Sequence, residues 1–116
     1  MSATIRLVLP IPPSLNNSYA SVPGRGRVPS AELIKWQQAA GWSLQSQRPG
    51  MISGPYRFAI YLPEKMRGDI SNRIKHAEDL LVTHGVTPDD KNARSVLAER
   101  SEIVGKGECL IVVEAA

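Results

Sequence analysis

The residues best suited to chemistry run Asp69-Ile70-Ser71-Asn72-Arg73-Ile74-Lys75, with Asp79 ten positions after the first aspartate and Asp89-Asp90 across a turn. They bring carboxylates, an amide and one lysine to the start of a helix and to the strand that follows it. Magnesium prefers oxygen ligands in octahedral geometry and commonly uses one or two carboxylates, waters and a substrate phosphate. Asp69 and Asp90 are therefore sufficient in kind if the fold brings them together, with Asp79 and Asp89 as further ligands. An ion held there acidifies water and neutralises charge developing on phosphorus. Lys75 is placed to steady the transition state. The chemistry implied is phosphodiester hydrolysis.

Simpler roles exist for each residue. Asp69 suits a helix N-cap, which does not exclude metal binding. Asp79 can pair with Lys75 one turn away, for roughly 0.2–0.5 kcal/mol, and Asp89-Asp90 after Pro88 is good turn chemistry. Asn16 and Asn17 are turn formers as well as candidate substrate contacts. Arg25 and Arg27, flanked by Gly24 and Gly26, suit phosphate contacts from a loop, and Asn72 and Arg73 complete the candidate DNA contacts. His76 and His84 lack partners at zinc-ligand spacing, and His84 suits a cation at a helix C-terminus. Trp36 and Trp42 read as core or interface.

These residues need elements to carry them. Thr4 to Leu9 alternates and stops at the prolines from Pro10, a first strand. Ser14 to Pro29 shows little periodicity and reads as a long, mobile connection. Ser30 caps a helix in which Leu33, Trp36, Ala40 and Leu44 share one face, ending near Gln47. Tyr56, Phe58, Ile60 and Leu62 alternate with their neighbours up to Pro63, a second strand. Asp69 then stands as N-cap of a second helix, with Ile70, Ile74, Ala77 and Leu81 as its apolar stripe and Gly85 as its C-cap. On that reading Asp69, Asn72, His76 and Asp79 share the side turned from the core, with Lys75 at its border. Ala93 to Val104 and Glu108 to Glu114 read as two strands joined by a hairpin turn at Gly105-Lys106-Gly107. The order β-α-β-α-β-β implies an α+β (α/β) fold, a mixed sheet with two helices packed most simply on one face.

At 116 residues and 42% hydrophobic content, the chain suffices for one domain spanning 1–116. A domain of this size gains buried area by pairing, which makes a homodimer a reasonable expectation. Net charge is +3, but residues 1–63 carry six Lys or Arg against Glu32 alone, while residues 64–116 carry eight against ten acids. A basic first half beside an acidic cluster fits a protein that holds a polyanion on one surface and cations on another. Cys109 is the only cysteine and lies in an apolar run, so no intrachain disulfide forms. Neither a leader-like N-terminus nor a membrane-length apolar run is present in the sequence, so the expected location is the cytoplasm, away from any membrane.

Three elements together resemble the RusA family of Holliday-junction resolvases. Leu9-Pro10-Ile11-Pro12-Pro13-Ser14-Leu15-Asn16-Asn17 is similar to the family's Pro-Pro-Ser-x-Asn segment after the first strand. The helix-start pattern Asp-x-Asp-Asn-x-x-Lys, with a further Asp four residues on, is matched by Asp69, Asn72, Lys75 and Asp79, and the Asp-Asp pair by Asp89-Asp90. The resemblance covers nearly the whole chain. It implies a dimeric endodeoxyribonuclease, dependent on magnesium or on manganese in its place, that resolves four-way DNA junctions by paired nicks in recombination and repair. The catalytic residues it implies are Asp69, Lys75 and Asp90. One position departs, since the family's second acid in the helix pattern is Ser71 here. A hydroxyl is a poorer ligand for a hard cation than a carboxylate. Either Asp79 or Asp89 supplies the missing charge, or the metal binds more weakly, or cleavage is impaired. The last outcome leaves a module that binds branched DNA with weak or no cleavage.

Overall fold

In β4 (Tyr56–Pro63) the residues Tyr56, Phe58, Ile60 and Leu62 are buried while Arg57 is exposed. The alternation of the sequence has become one face turned to a core. The computed structural model describes residues 3–116. β1 (Thr4–Pro10) buries Leu7 and Leu9 in the same way, and β6 (Glu108–Ala115) buries Cys109, Ile111 and Val113. With β5 (Ala93–Ser101) they form a four-stranded sheet in the order β1-β6-β4-β5. β6 pairs antiparallel with both β1 and β4, while β4 and β5 run parallel. The sheet is mixed, as expected for this class.

Two helices cover the inner face. α1 (Ala31–Ser46) starts at Ser30, whose Oγ accepts from Leu33 N at 3.2 Å, and buries Leu33, Trp36, Ala40 and Leu44. Its Trp36 donates Nε1–H to the Pro10 carbonyl at 2.8 Å, which ties the helix to the end of β1. α2 (Ile74–Thr83) adds Ala77, Leu80 and Leu81 to the same core. It ends in a Schellman motif: Val86 N bonds Leu81 O, Gly85 N bonds Val82 O, and Gly85 holds a φ of 73° that glycine adopts without strain. Cys109 is buried and its thiol is pushed up to about 12, chiefly by burial. Among the described residues, no helix is long and apolar enough to cross a membrane.

Three features differ from the sequence-based expectation. Residues 14–29 are not a structureless connection. A 3-10 turn at Leu15–Asn17 leads into a hairpin of β2 (Tyr19–Val22) and β3 (Gly26–Pro29), which forms a separate two-stranded sheet. Strands of four residues are too short for alternation to show, but the turn is orthodox: Pro23 precedes Gly24 at φ 77°, and Arg25 N bonds Val22 O. Second, β5 and β6 are not a hairpin, because they lie on opposite sides of β4. The apolar run of β6 takes an inner position, whereas β5, with Val96 and Leu97 exposed, takes the edge. Third, α2 begins at Ile74, after a 3-10 turn at Ile70–Arg73. Of the two tryptophans read as core or interface, Trp36 joins the core and Trp42 is 78% exposed.

Candidate functional site

The start of α2 and the start of β5 meet through Lys75. Its Nζ lies 3.0 Å from Asp79 Oδ1, one helical turn away, and 2.8 Å from Asp90 Oδ2, contributed by the 3-10 turn Asp90–Asn92 that opens β5. The Asp90 and Asp79 side chains hold the Lys75 ammonium well above its ordinary value. In return, the hydrogen bond from Lys75, and then Asp89, hold Asp90 below the usual carboxylate range. Both groups are therefore charged across the neutral range, and Lys75 is a poor base there. All three side chains are about half exposed. The ion pairs thus contribute little to stability. Two carboxylates facing one ammonium leave excess negative charge at the surface, which suits a further cation.

Asp69 lies on the segment that leads into α2. It is exposed at the head of the 3-10 turn, with no hydrogen bond from its side chain to cap that turn. Among the described residues no ion pair joins it to Lys75. The expected N-cap role is absent because a 3-10 turn, rather than α2, follows it. Asp89 caps its own turn, its Oδ1 accepting from Lys91 N at 3.0 Å. Ser71 is exposed, and Asn72 is half-buried with its backbone N–H on Asp69 O. Arg73 is turned inward, donating Nη1–H to Pro12 O at 2.7 Å and Nη2–H to Arg67 O, while its Nε is buried without a partner. That geometry couples the proline-rich segment to the segment bearing Asp69, and it engages the guanidinium with backbone rather than presenting it to a ligand. Asn17 is exposed, and its carbonyl accepts from Ser30 Oγ. Arg25 and Arg27 are exposed on the β2–β3 hairpin.

Three groups beneath the surface are not visible in a polar-face reading of α2. Glu78 is 8% exposed and accepts from Tyr56 Oη at 3.3 Å; burial pushes its carboxyl above the ordinary value. Burial and Glu78 together push Tyr56 up to about 12. His76, expected on the outer side of the helix, is buried against Ser18, with Nε2 2.6 Å from Ser18 Oγ. Because Ser18 Oγ donates to Ser14 O at 2.6 Å, it accepts from His76, which fixes the imidazole proton on Nε2. Burial depresses the His76 pKa, in keeping with a neutral ring. Spacing from Ile74 is the signal that could have found Glu78. It falls about 40° from Ile74, on the buried side, whereas Lys75 and Asp79 lie further round. Arg100 is a fourth omission, since its guanidinium donates to the Glu64, Met66 and Gly68 carbonyls and braces the loop before Asp69.

For a divalent ion, the donor set is of the right kind but small. Asp79 Oδ1 and Asp90 Oδ2 face a single point already holding a positive charge. Among the described residues no group of three His, Cys, Asp or Glu side chains converges to hold a metal. Two carboxylates satisfy magnesium when waters and a phosphate complete the shell. No protein-family model and no curated protein matches the chain.

Proposed function

We propose that the protein is a magnesium-dependent endodeoxyribonuclease acting on four-way DNA junctions. The observation that carries this reading is the meeting of Lys75, Asp79 and Asp90, from segments separate in sequence, at the positions where the resemblance to RusA resolvases expects them. Asp79 and Asp90 would hold magnesium, which supplies charge neutralisation and a more acidic water when bound. Lys75, kept protonated, donates to a phosphate oxygen as negative charge builds there. Water adds to phosphorus, one ester P–O bond breaks, and the leaving oxygen takes a proton. Pairing of two copies would set one such site on each of two symmetry-related strands.

A second reading is a module that binds branched DNA and cuts it weakly or not at all. It is favoured by a specific observation: Ser71 stands where a carboxylate was expected, and among the described residues no ion pair joins Asp69 to Lys75. Incubation with a synthetic four-way junction, with and without magnesium, separates the two. The nuclease reading expects paired nicks that need the metal and vanish in Asp90→Asn, while gel retardation persists because removing an acid does not weaken attraction to phosphate. Retardation without nicking by the unmodified chain supports the binding module. Undiminished cutting by Asp90→Asn overturns the mechanism.

A further inference from the structure

The β2–β3 hairpin is an unusual investment for a chain of this size. It forms its own sheet, hydrogen-bonded to none of the four main strands, and both its strands are largely exposed. An isolated two-stranded hairpin is marginal in water and needs packing from elsewhere. Here the hydrogen-bonded support lies at its base. Ser18 is fully buried against His76, and Ser30 N–H and Oγ–H bond the Ser18 and Asn17 carbonyls. Where β2 begins, Tyr19 is 42% exposed, and the Arg27 guanidinium carbon stands 5.3 Å over its ring centroid. Among the described residues neither Arg25 nor Arg27 forms an ion pair. Their charges are left to solvent or to a ligand.

The position of this pair matters as much as its chemistry. The Tyr19 ring centroid lies 6.2 Å from that of His76, which is next in sequence to Lys75 and one helical turn from Asp79. The hairpin base is therefore anchored to the same helix that presents the acidic cluster. An aromatic ring under a guanidinium is a surface on which a nucleobase stacks: the ring supplies a sequence-tolerant π face, and the cation adds attraction to both base and phosphate. Bases within a regular duplex are already stacked on their neighbours and cannot use it. Bases freed at a branch point can.

The geometry points to Tyr19 and Arg27 as a stacking site for an unpaired DNA base next to the phosphate held at Lys75 and Asp90. This site makes the hairpin the element that distinguishes a branched substrate from a plain duplex. The inference rests on the nuclease reading for the identity of the ligand, and its test separates the two.

Fluorescence anisotropy, with calcium replacing magnesium, would follow binding to a labelled four-way junction and to a fully paired duplex of equal length. Tyr19→Leu is expected to weaken junction binding roughly tenfold, with duplex affinity unchanged within about twofold and Tyr19→Phe retaining junction preference. Arg27→Gln, which leaves the ring in place, is expected to lower junction preference as well and guards against misfolding of the leucine variant. Equal loss on both DNAs, or none on either, overturns the stacking site. If the unmodified protein nicks the junction in magnesium while Tyr19→Leu and Arg27→Gln keep its junction preference, this inference fails and the nuclease reading stands. If the unmodified protein neither binds nor nicks a junction, both fail.

Discussion

Lys75 is held between two carboxylates, and the direction of each pKa shift fixes its role. Its folded value is raised, so its contribution is complete below the ordinary lysine range and is lost only as pH rises through the elevated value. Asp90 is shifted down, so its contribution is present above the ordinary aspartate range and disappears as pH falls through the depressed one. Between these limits the pair is pH-invariant, and activity changes near neutrality must come from other groups. Lys75→Met should reduce junction nicking by about 10²–10³-fold, the scale of losing one preorganised charge donor. Urea unfolding should move by less than about 1 kcal/mol, because the pair is half exposed. A large loss of stability with intact nicking would contradict the assignment. Glu78 behaves oppositely. Its raised value means that the folded state favours its proton, so it opposes folding progressively as pH rises from the ordinary glutamate range and fully above the elevated value. Glu78→Gln keeps an acceptor for Tyr56 and should raise the melting temperature at pH 8, with the gain vanishing near pH 4. Equal melting temperatures of the two proteins at pH 8 would show that burial of this acid carries no penalty.

At the scale of elements, the contact between α2 and the 14–18 segment is the join between the acidic cluster and the hairpin. The His76–Ser18–Ser14 chain is buried at its centre, where an unmet polar group costs about 1–3 kcal/mol. His76→Ala should therefore destabilise the fold by about that amount in urea titration. It should also speed trypsin cleavage after Arg25 or Arg27 by loosening the hairpin base, and unchanged proteolysis would show that the chain does not secure it. This join was illegible in the sequence for a physical reason. Its partners are 58 residues apart, and His76 falls about 140° from Leu81 on the helical wheel, outside the apolar stripe, so its burial depends on a segment distant in sequence. By contrast, β1, α1 and β4 were readable nearly to the residue, because each places apolar side chains on one face at a single period, and a proline closes each strand while a capping serine opens the helix. The Gly105–Gly107 turn misled, since turn chemistry marks a reversal but does not say which strands pair across it. The pairing of Lys75 with Asp79 was legible from their spacing, whereas the contact of Lys75 with Asp90 was not, because it joins separate segments 15 residues apart; nor was the turn after Asp69, because a 3-10 turn changes the angle per residue.

The whole molecule measures 51 × 31 × 26 Å, an elongated body with the basic residues of its first half distributed over it. Strand alternation puts Arg6 and Arg57 on the sheet face away from the helices, opposite Leu7 and Phe58, whereas Arg25 and Arg27 stand on the hairpin anchored beside α2. The charge asymmetry seen along the chain is thus not one continuous basic surface, and the hairpin arginines stand on an element anchored to the helix that carries Lys75 and Asp79. A polyanion bound there should owe its salt sensitivity to those two residues. Each neutralised phosphate contributes a slope of about −0.9 in log affinity against log salt concentration for duplex DNA. Arg25→Gln with Arg27→Gln should flatten the slope by about 2. Arg6→Gln with Arg57→Gln removes the same charge from the opposite face and should leave the slope nearly as it was. This comparison holds net charge constant, so a general loss of attraction cannot imitate it. Equal flattening by both pairs would mean that DNA does not lie against the hairpin, and it would separate the arginines from the Lys75 cluster as parts of one surface.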